Sequence, residues 1–363
     1  MKRFYSVFRF FAERVGNTYN RCQNARNGKR YKRCFCITNT AKNGGLKIIK
    51  QNNGHSEKIY TKIKKSQIKN IGGNVQSRQQ RRGCKFASSA YIMSPALEGA
   101  FTMVMGHHSY HHDTSAFPYS YLIEKEGRTH LMPGANLTSF GAVRDIEKWP
   151  ARDRRSVKRD VISFDEYNPY ITGAMLQAVD ILHSLQEQDP DAPVFTHNKT
   201  LIRSAALQRG LKLYNKAIVA ALGAMLSRGG SDPRYDGDGQ WLDLGGQYIT
   251  RRETEAILAA VDRGELTTTE AVDNRFRVFA VHYDDYAHSW AKQVYAALLG
   301  HTPTVDEIDE AISAGHNAHA SMRRTTDADR DRDCSLDMAV SYGLDCTSEE
   351  ERREDYYSVR GLK

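Results

Sequence analysis

The chain has 363 residues, of which 40% are apolar and 26% charged, enough to fold around one or two cores. No apolar run approaches the ~20 residues of a membrane-spanning helix, and six cysteines in this length exclude a disulfide-built scaffold. The net charge of +9 conceals two segments of opposite sign: residues 1–86 carry 22 Lys and Arg against only Glu13 and Glu57, and everything beyond them is net negative.

The first 82 residues read as a basic arm. Its opening, Met1 to Phe11, mixes Phe with Arg, and Arg9 interrupts the apolar region of about 7–15 residues that a secretory signal needs. An Arg-rich, acid-poor start also fits an organelle transit peptide loosely. Lys and Arg in this density suit phosphate neutralisation, with Tyr31, Phe35 and Tyr60 available to stack on bases. Cys22, Cys34, Cys36 and His55 lack the paired spacing of a structural zinc site. The abrupt change of composition near Gly83 also fits a start foreign to the rest, with no function of its own.

From residue 84 a six-residue period begins. Cys84, Ala90, Ala96 and Thr102 are small, and two positions after each come Phe86, Ile92, Glu98 and Val104. A hexad of this kind predicts the coils of a left-handed parallel β-helix, with small residues at corners and aliphatics inside. Glu98 breaks the pattern. The alternative is two ordinary strands around a Ser94-Pro95 turn.

The run from Gly106 to Ser115 places His107, His108, His111, His112 and Asp113 close together. In an extended strand His108 and His112 share one face, and His111 and Asp113 the other. Imidazole and carboxylate suit acid–base work or a metal, or the run is a solvated loop. After the Pro133-Gly134 turn comes the densest charge block outside the arm: Arg144, Asp145, Lys148, Trp149, Arg152, Asp153, Arg154, Arg155, Lys158, Arg159 and Asp160. Planar guanidinium groups fit phosphate, and Trp149 fits a base or sugar; the interspersed acids allow internal pairing instead.

Beyond Asn168-Pro169 the period becomes helical. Met175, Leu176, Val179, Leu182 and Leu185 form one stripe, and Leu207, Leu211, Tyr214, Ile218 and Leu222 another within residues 201–225. Residues 252–262 predict a short helix. Thr267, Thr304 and Thr347 each precede a Glu by three residues, the spacing of a capping box. Phe276, Phe279, His282, Tyr283, Tyr286, Trp290, Val294 and Leu298 predict one aromatic helix face packed into the core, with His282 and His288 structural. No phosphate-binding glycine loop, nucleophile elbow or HExxH motif occurs.

Several stretches carry a resemblance: Arg82 to Lys85, Gly106 to Phe117, Pro133-Gly134 with Asn136 to Thr138, Gly141 to Asp145, Lys148 to Arg155, Trp241 to Leu244, Arg275-Phe276 and Ser289 to Ala291. From Arg82 to Leu362 the chain resembles the C-terminal part of an uncharacterised family of large bacterial proteins. Those proteins begin with a left-handed β-helix of the hexapeptide-transferase type and continue past the point matching Val359 to Gly361. The arm does not resemble their earlier coils, and His107, His111 and His112 depart from their pattern.

The resulting expectation is an α+β fold in three parts. Residues 1–82 are the basic arm, 83–165 remnant left-handed parallel β-helix coils with the Arg-rich turn, and 166–363 an α-helical region. The resemblance implies a transferase-like protein acting on a phosphorylated or nucleotide-linked sugar. His108 is then the general base oriented by Asp113, and Arg144, Lys148, Trp149, Arg152 and Arg154 hold the substrate. The alternatives are a non-catalytic scaffold that assembles as a homo-oligomer, and nucleic-acid binding through the arm. No metal, cofactor or membrane partner is expected, and the cytoplasm is the expected location.

Overall fold

A computed structural model describes residues 78–158, 160–228, 230, 232–333 and 345–360. Nearly all of the basic arm, with its cysteines, its aromatics and its nucleic-acid reading, lies outside the described residues.

The hexad stretch folds as very short strands: β1 (Arg78–Gln80), β2 (Lys85–Phe86), β3 (Tyr91–Ile92), β4 (Ala96–Glu98), β5 (Met103–Met105) and β6 (His107–His108). They pair in parallel as β1 with β4, β2 with β5 and β3 with β6. The register joins Lys85 to Met103 and Met103 in turn to Tyr121 of β7 (Tyr121–Lys125). Ile92, Ala96, Glu98, Thr102 and Val104 are all buried, so the period marks the interior, Glu98 included. The strands flanking Ser94-Pro95 pair with other strands and not with each other.

The α+β class is the observed one, but the expected β-helix coils are not. Parallel pairing stops at β7. The chain reverses at Glu126-Gly127, both with positive φ, and β8 (Arg128–Met132) returns antiparallel to β7. A two-residue turn with both residues left-handed matches strand twist and locks a hairpin. β10 (Thr200–Arg203) then joins β8 in parallel, and β9 (Val194–His197) closes the edge antiparallel to β10. The outcome is a mixed six-stranded sheet, β2-β5-β7-β8-β10-β9, rather than a stack of coils. Its last two strands come from beyond residue 166.

A 3-10 turn (Ala135–Thr138) leads into α1 (Phe140–Arg152), whose N-cap Ser139 accepts a hydrogen bond from the Gly141 amide. Asn168 caps α2 (Pro169–Gln188), with Pro169 in the first turn, where its missing N–H is harmless. The expected second stripe forms α3 (Ser204–Arg228), with Leu207, Leu211, Tyr214, Ile218 and Leu222 buried. A hairpin of β11 (Trp241–Leu244) and β12 (Gln247–Thr250) follows, then α4 (Arg251–Asp262) as expected.

The expected single aromatic face is divided between α5 (Thr269–Val281) and α6 (Tyr283–Leu299), which break at His282. Phe279, Tyr286, Trp290 and Leu298 are nevertheless buried. The remaining helices are α7 (Val305–Asp333) and α8 (Glu349–Arg360). The capping box ahead of α7 is realised: Thr304 Oγ1 accepts from the Glu307 amide, and Glu307 Oε2 accepts from the Thr304 amide at 2.8 Å. The box ahead of α8 forms one residue later, between Ser348 and Glu351, and ahead of α5 Thr268 caps alone by accepting from the Ala271 amide, so the box expected on Thr267 and Glu270 does not form.

Two contacts fix the layers. Arg82 forms a bidentate pair with Asp243 of the β11–β12 hairpin, both bonds 3.0 Å, and also donates to the Ser163 and Gly246 carbonyls. At the crossing of α3 and α7, Gly223 faces Gly315 so closely that a Cβ on Gly223 would stand 2.7 Å from the Gly315 Cα. No helix among the described residues is long and apolar enough to cross a membrane.

Candidate functional site

His108 is fully buried at the end of β6. Its Nδ1 lies 2.9 Å from Thr129 Oγ1, and its Nε2 lies 3.2 Å from the Met105 carbonyl oxygen. Burial, reinforced by the neighbouring His112, lowers its imidazole to about 4. Asp113 does not orient it. The Asp113 Oδ1 instead accepts from the Ser115 amide and hydroxyl, at 2.9 and 2.6 Å. Thus the structure seals His108 inside the sheet and leaves Asp113 as the anchor of a tight turn. The expected base and its orienting carboxylate are not brought together.

The five expected substrate-holding residues all lie on or just beyond α1, but they differ in freedom. Arg144 is half-buried and pairs with Asp145 at 3.3 Å, and Lys85 reaches the same carboxylate. Lys148 is partly buried. Trp149 is 56% exposed, whereas Trp241 and Trp290 are 4% and 7% exposed. Arg152 and Arg154 are exposed and have no ion-pair partner among the described residues. Internal pairing absorbs their neighbour: Arg155 Nε meets Asp153 at 2.8 Å, and this hydrogen bond holds the Asp153 carboxyl down to about 2.

A narrow cleft of about 20 Å³, room for about one water molecule, lies against α1 and α7. Its apolar wall includes Ala142, Val143 and Ile146 of α1 and Met322 of α7; its polar end is Glu166, Tyr167 and Arg323. Ile146 and Trp149 are three residues apart on a helix, so both stand on one side and the wall continues outward into the exposed indole. Arg152 follows three residues after Trp149, about 120° around the helix from Ile146.

The polar end is assembled from distant parts of the chain. Arg323 bonds Glu166 Oε2 at 3.2 Å and Glu147 Oε1 at 2.8 Å. Burial raises the Glu166 carboxyl, with Arg323 opposing. The Tyr167 hydroxyl contacts His319 Nδ1, and burial lowers that imidazole, with Arg323 adding to the effect. Asp165 holds the segment: its Oδ2 accepts from Arg228 at 3.0 Å and from the Tyr283 hydroxyl at 2.9 Å, and its Oδ1 from the Tyr167 amide. None of these residues carries a motif spacing, so sequence reasoning passed over them. Among the described residues no group of three or more His, Cys, Asp or Glu side chains is arranged to hold a metal ion.

Residues 65–186 match the family model described as Domain of unknown function (DUF4954), and residues 227–362 match the one described as Domain of unknown function (DUF6819). The matched families are uncharacterised. That agrees with the uncharacterised-family part of the sequence resemblance and adds nothing for a hexapeptide β-helix, transferase chemistry or a bacterial source. No curated protein and no solved structure matches the chain. The cleft lies where the two matched segments meet: Glu166 and Tyr167 come from the first, and Arg323 and His319 from the second.

Proposed function

We propose that the protein binds a phosphorylated or nucleotide-linked sugar along the α1 wall of the cleft, and that the cleft supplies acid–base groups to it. One observation carries this reading. α1, which supplies the apolar wall, carries an exposed tryptophan and ends at Arg152, with Arg154 two residues beyond and neither arginine ion-paired among the described residues; the cleft's polar end holds a partly buried carboxyl beside a guanidinium. An indole face packs on a sugar ring or base, and a guanidinium fork fits phosphate oxygens. A carboxyl raised by burial keeps its proton closer to neutral pH than a solvated one, which suits a general acid. Tyr167, with its hydroxyl on His319, stands beside it as a second proton-handling pair.

Trp149 is the solvent-exposed one of three tryptophans, so its emission reports on this surface. The test titrates the full chain with glucose 1-phosphate, free glucose and inorganic phosphate. The phosphorylated sugar is expected to shift the emission at lower concentration than either fragment, and Trp149→Phe to abolish the signal. Losing two charge-assisted contacts in Arg152→Ala/Arg154→Ala is expected to weaken binding about 10- to 100-fold. Equal responses to glucose and glucose 1-phosphate, or an undiminished affinity in the double variant, would end the reading.

A further inference from the structure

The six-stranded sheet has two unlike faces. Along β5, β7, β8 and β10 the inward residues Val104, Leu122, Leu131 and Ile202 are at most 1% exposed. Their neighbours alternate outward: Met103, Met105, Tyr121, Ile123, Met132 and Leu201 are all partly exposed, and none belongs to the buried core or packs against it. The register sets them side by side, Tyr121 between Met103 and Met132, and Ile123 between Met105 and His130, with Leu201 beyond His130. Four strands at a spacing of about 4.8 Å make this face about 14 Å wide. Cations stand at both ends of the strands. Arg128 and Lys199 flank the two hairpin turns, and Arg203 lies at the far end of β10. None of the three has an ion-pair partner among the described residues. The acids at the margin are already paired, Glu126 with Lys125 at 3.5 Å and Asp145 with Lys85 and Arg144.

We propose that this outer sheet face docks an acidic amphipathic helix of a partner protein. An apolar sheet face is ordinarily buried against a helix or a second sheet, and one helix about 10 Å across covers a strip of this width. The apolar stripe of such a helix meets Met105, Tyr121, Ile123 and Leu201. Carboxylates bordering the stripe meet Arg128 and Lys199 at one end of the strands and Arg203 at the other. Unbranched methionines adapt their shape to whatever packs on them. Charge argues against the other occupants. The first 86 residues of the chain carry 22 Lys and Arg against two acids, the wrong sign for this face. A second copy presenting the same face sets like charges opposite one another. Single-stranded nucleic acid has the right charge but binds on successive aromatic platforms, and the outward side chains of these four strands include only two rings, Tyr121 and His130.

Fluorescence anisotropy on the full chain tests this. The probe is a labelled peptide of about 18 residues, five helical turns, with a Leu stripe at helical spacing and Glu and Ala elsewhere. It is expected to bind with a Kd of about 10–50 μM. A peptide with Lys in place of Glu, and one of the same composition with the stripe scrambled, are expected to bind about tenfold more weakly or worse. Ile123→Glu and Arg128→Glu/Arg203→Glu are each expected to weaken the acidic peptide by about tenfold while the chain stays folded, because these side chains face outward. Should the Ile123→Glu chain fail to fold, Ile123→Gln decides. No binding of the acidic peptide at about 200 μM, equal binding of the Lys or scrambled peptide, or unchanged binding in the deciding variants overturns the proposal. Tighter binding of an oligouridylate overturns it in favour of RNA, and a dimer in sedimentation that Ile123→Gln dissociates overturns it in favour of a second copy.

Discussion

Replacing Arg82 by alanine is expected to lower the melting temperature by about 10 °C, from a loss of about 3–5 kcal/mol. The guanidinium is largely shielded and meets four acceptors: both oxygens of Asp243 and the carbonyls of Ser163 and Gly246. It also lies 4.3 Å over the Tyr248 ring. Burial opposes its charge, but Tyr248 and Asp243 outweigh that and raise its pKa. Truncation strands the Asp243 carboxylate, only 7% exposed at its side chain, with the Gly246 amide still donating to it. Removing one member of a buried pair costs far more than the pair contributes net, because an uncompensated charge stays behind. Arg82→Lys keeps the charge and loses the fork, and its melting point is expected between the two. Thermal melts followed by circular dichroism decide the matter; a drop under 2 °C for the alanine variant would mean that water replaces the guanidinium.

Gly223→Val is expected to cost about 3 kcal/mol and to weaken ligand binding in the cleft at the same time. The first added carbon would stand 2.7 Å from both the Ala311 carbonyl oxygen and the Gly315 Cα. Both neighbours are backbone, so no side chain can rotate away, and the two helices have to separate. α7 carries Met322, Arg323 and Thr326 of the cleft, so the separation draws Arg323 from Glu166. Melting and the glucose 1-phosphate titration should therefore fail together. A variant that melts lower but binds normally would place the crossing and the cleft in separate mechanical units.

What was legible in the sequence follows from locality. The hexad marked the interior positions Ile92, Ala96, Thr102 and Val104, because small and aliphatic side chains recur there for packing reasons alone. Alternation likewise put His108 and His112 on one side, and both are buried. It did not foresee the exit from parallel pairing, because that depends on left-handed backbone at Glu126 and Gly127 and on strands supplied 70 residues later. The helices α2, α3 and α4 were read from their stripes. The break at His282 was missed, since side-chain periodicity runs on through it. Two N-caps slid by one residue because adjacent hydroxyls compete for the same role: Thr268 took it from Thr267 and left Ala271 where the Glu of a box would stand, and Ser348 took it from Thr347 and kept a box with Glu351.

The candidate site was legible only on the helix that carries most of it. Arg144, Lys148, Trp149 and Arg152 cluster within nine residues, so their charge and aromatic character stand out. Glu166 and Arg323 are 157 residues apart and become a pair only when α7 folds back over α1. The pairing of His108 with Asp113 failed for a local reason. The strand ends at His108, and the carboxylate is drawn to its own downstream turn.

The 29 residues of α7 make a rod about 43 Å long. Near one end it is pinned where Ala311 and Gly315 meet α3; further along, Arg323 grips Glu166, and near the far end the Asp329 carboxylate accepts the amide of Phe140, the first residue of α1. A stiff beam seated at three points turns as one piece. Torque applied at the glycine crossing is delivered along α7 to the root of α1, so the helix bearing Trp149 and Arg152 answers to events at that crossing.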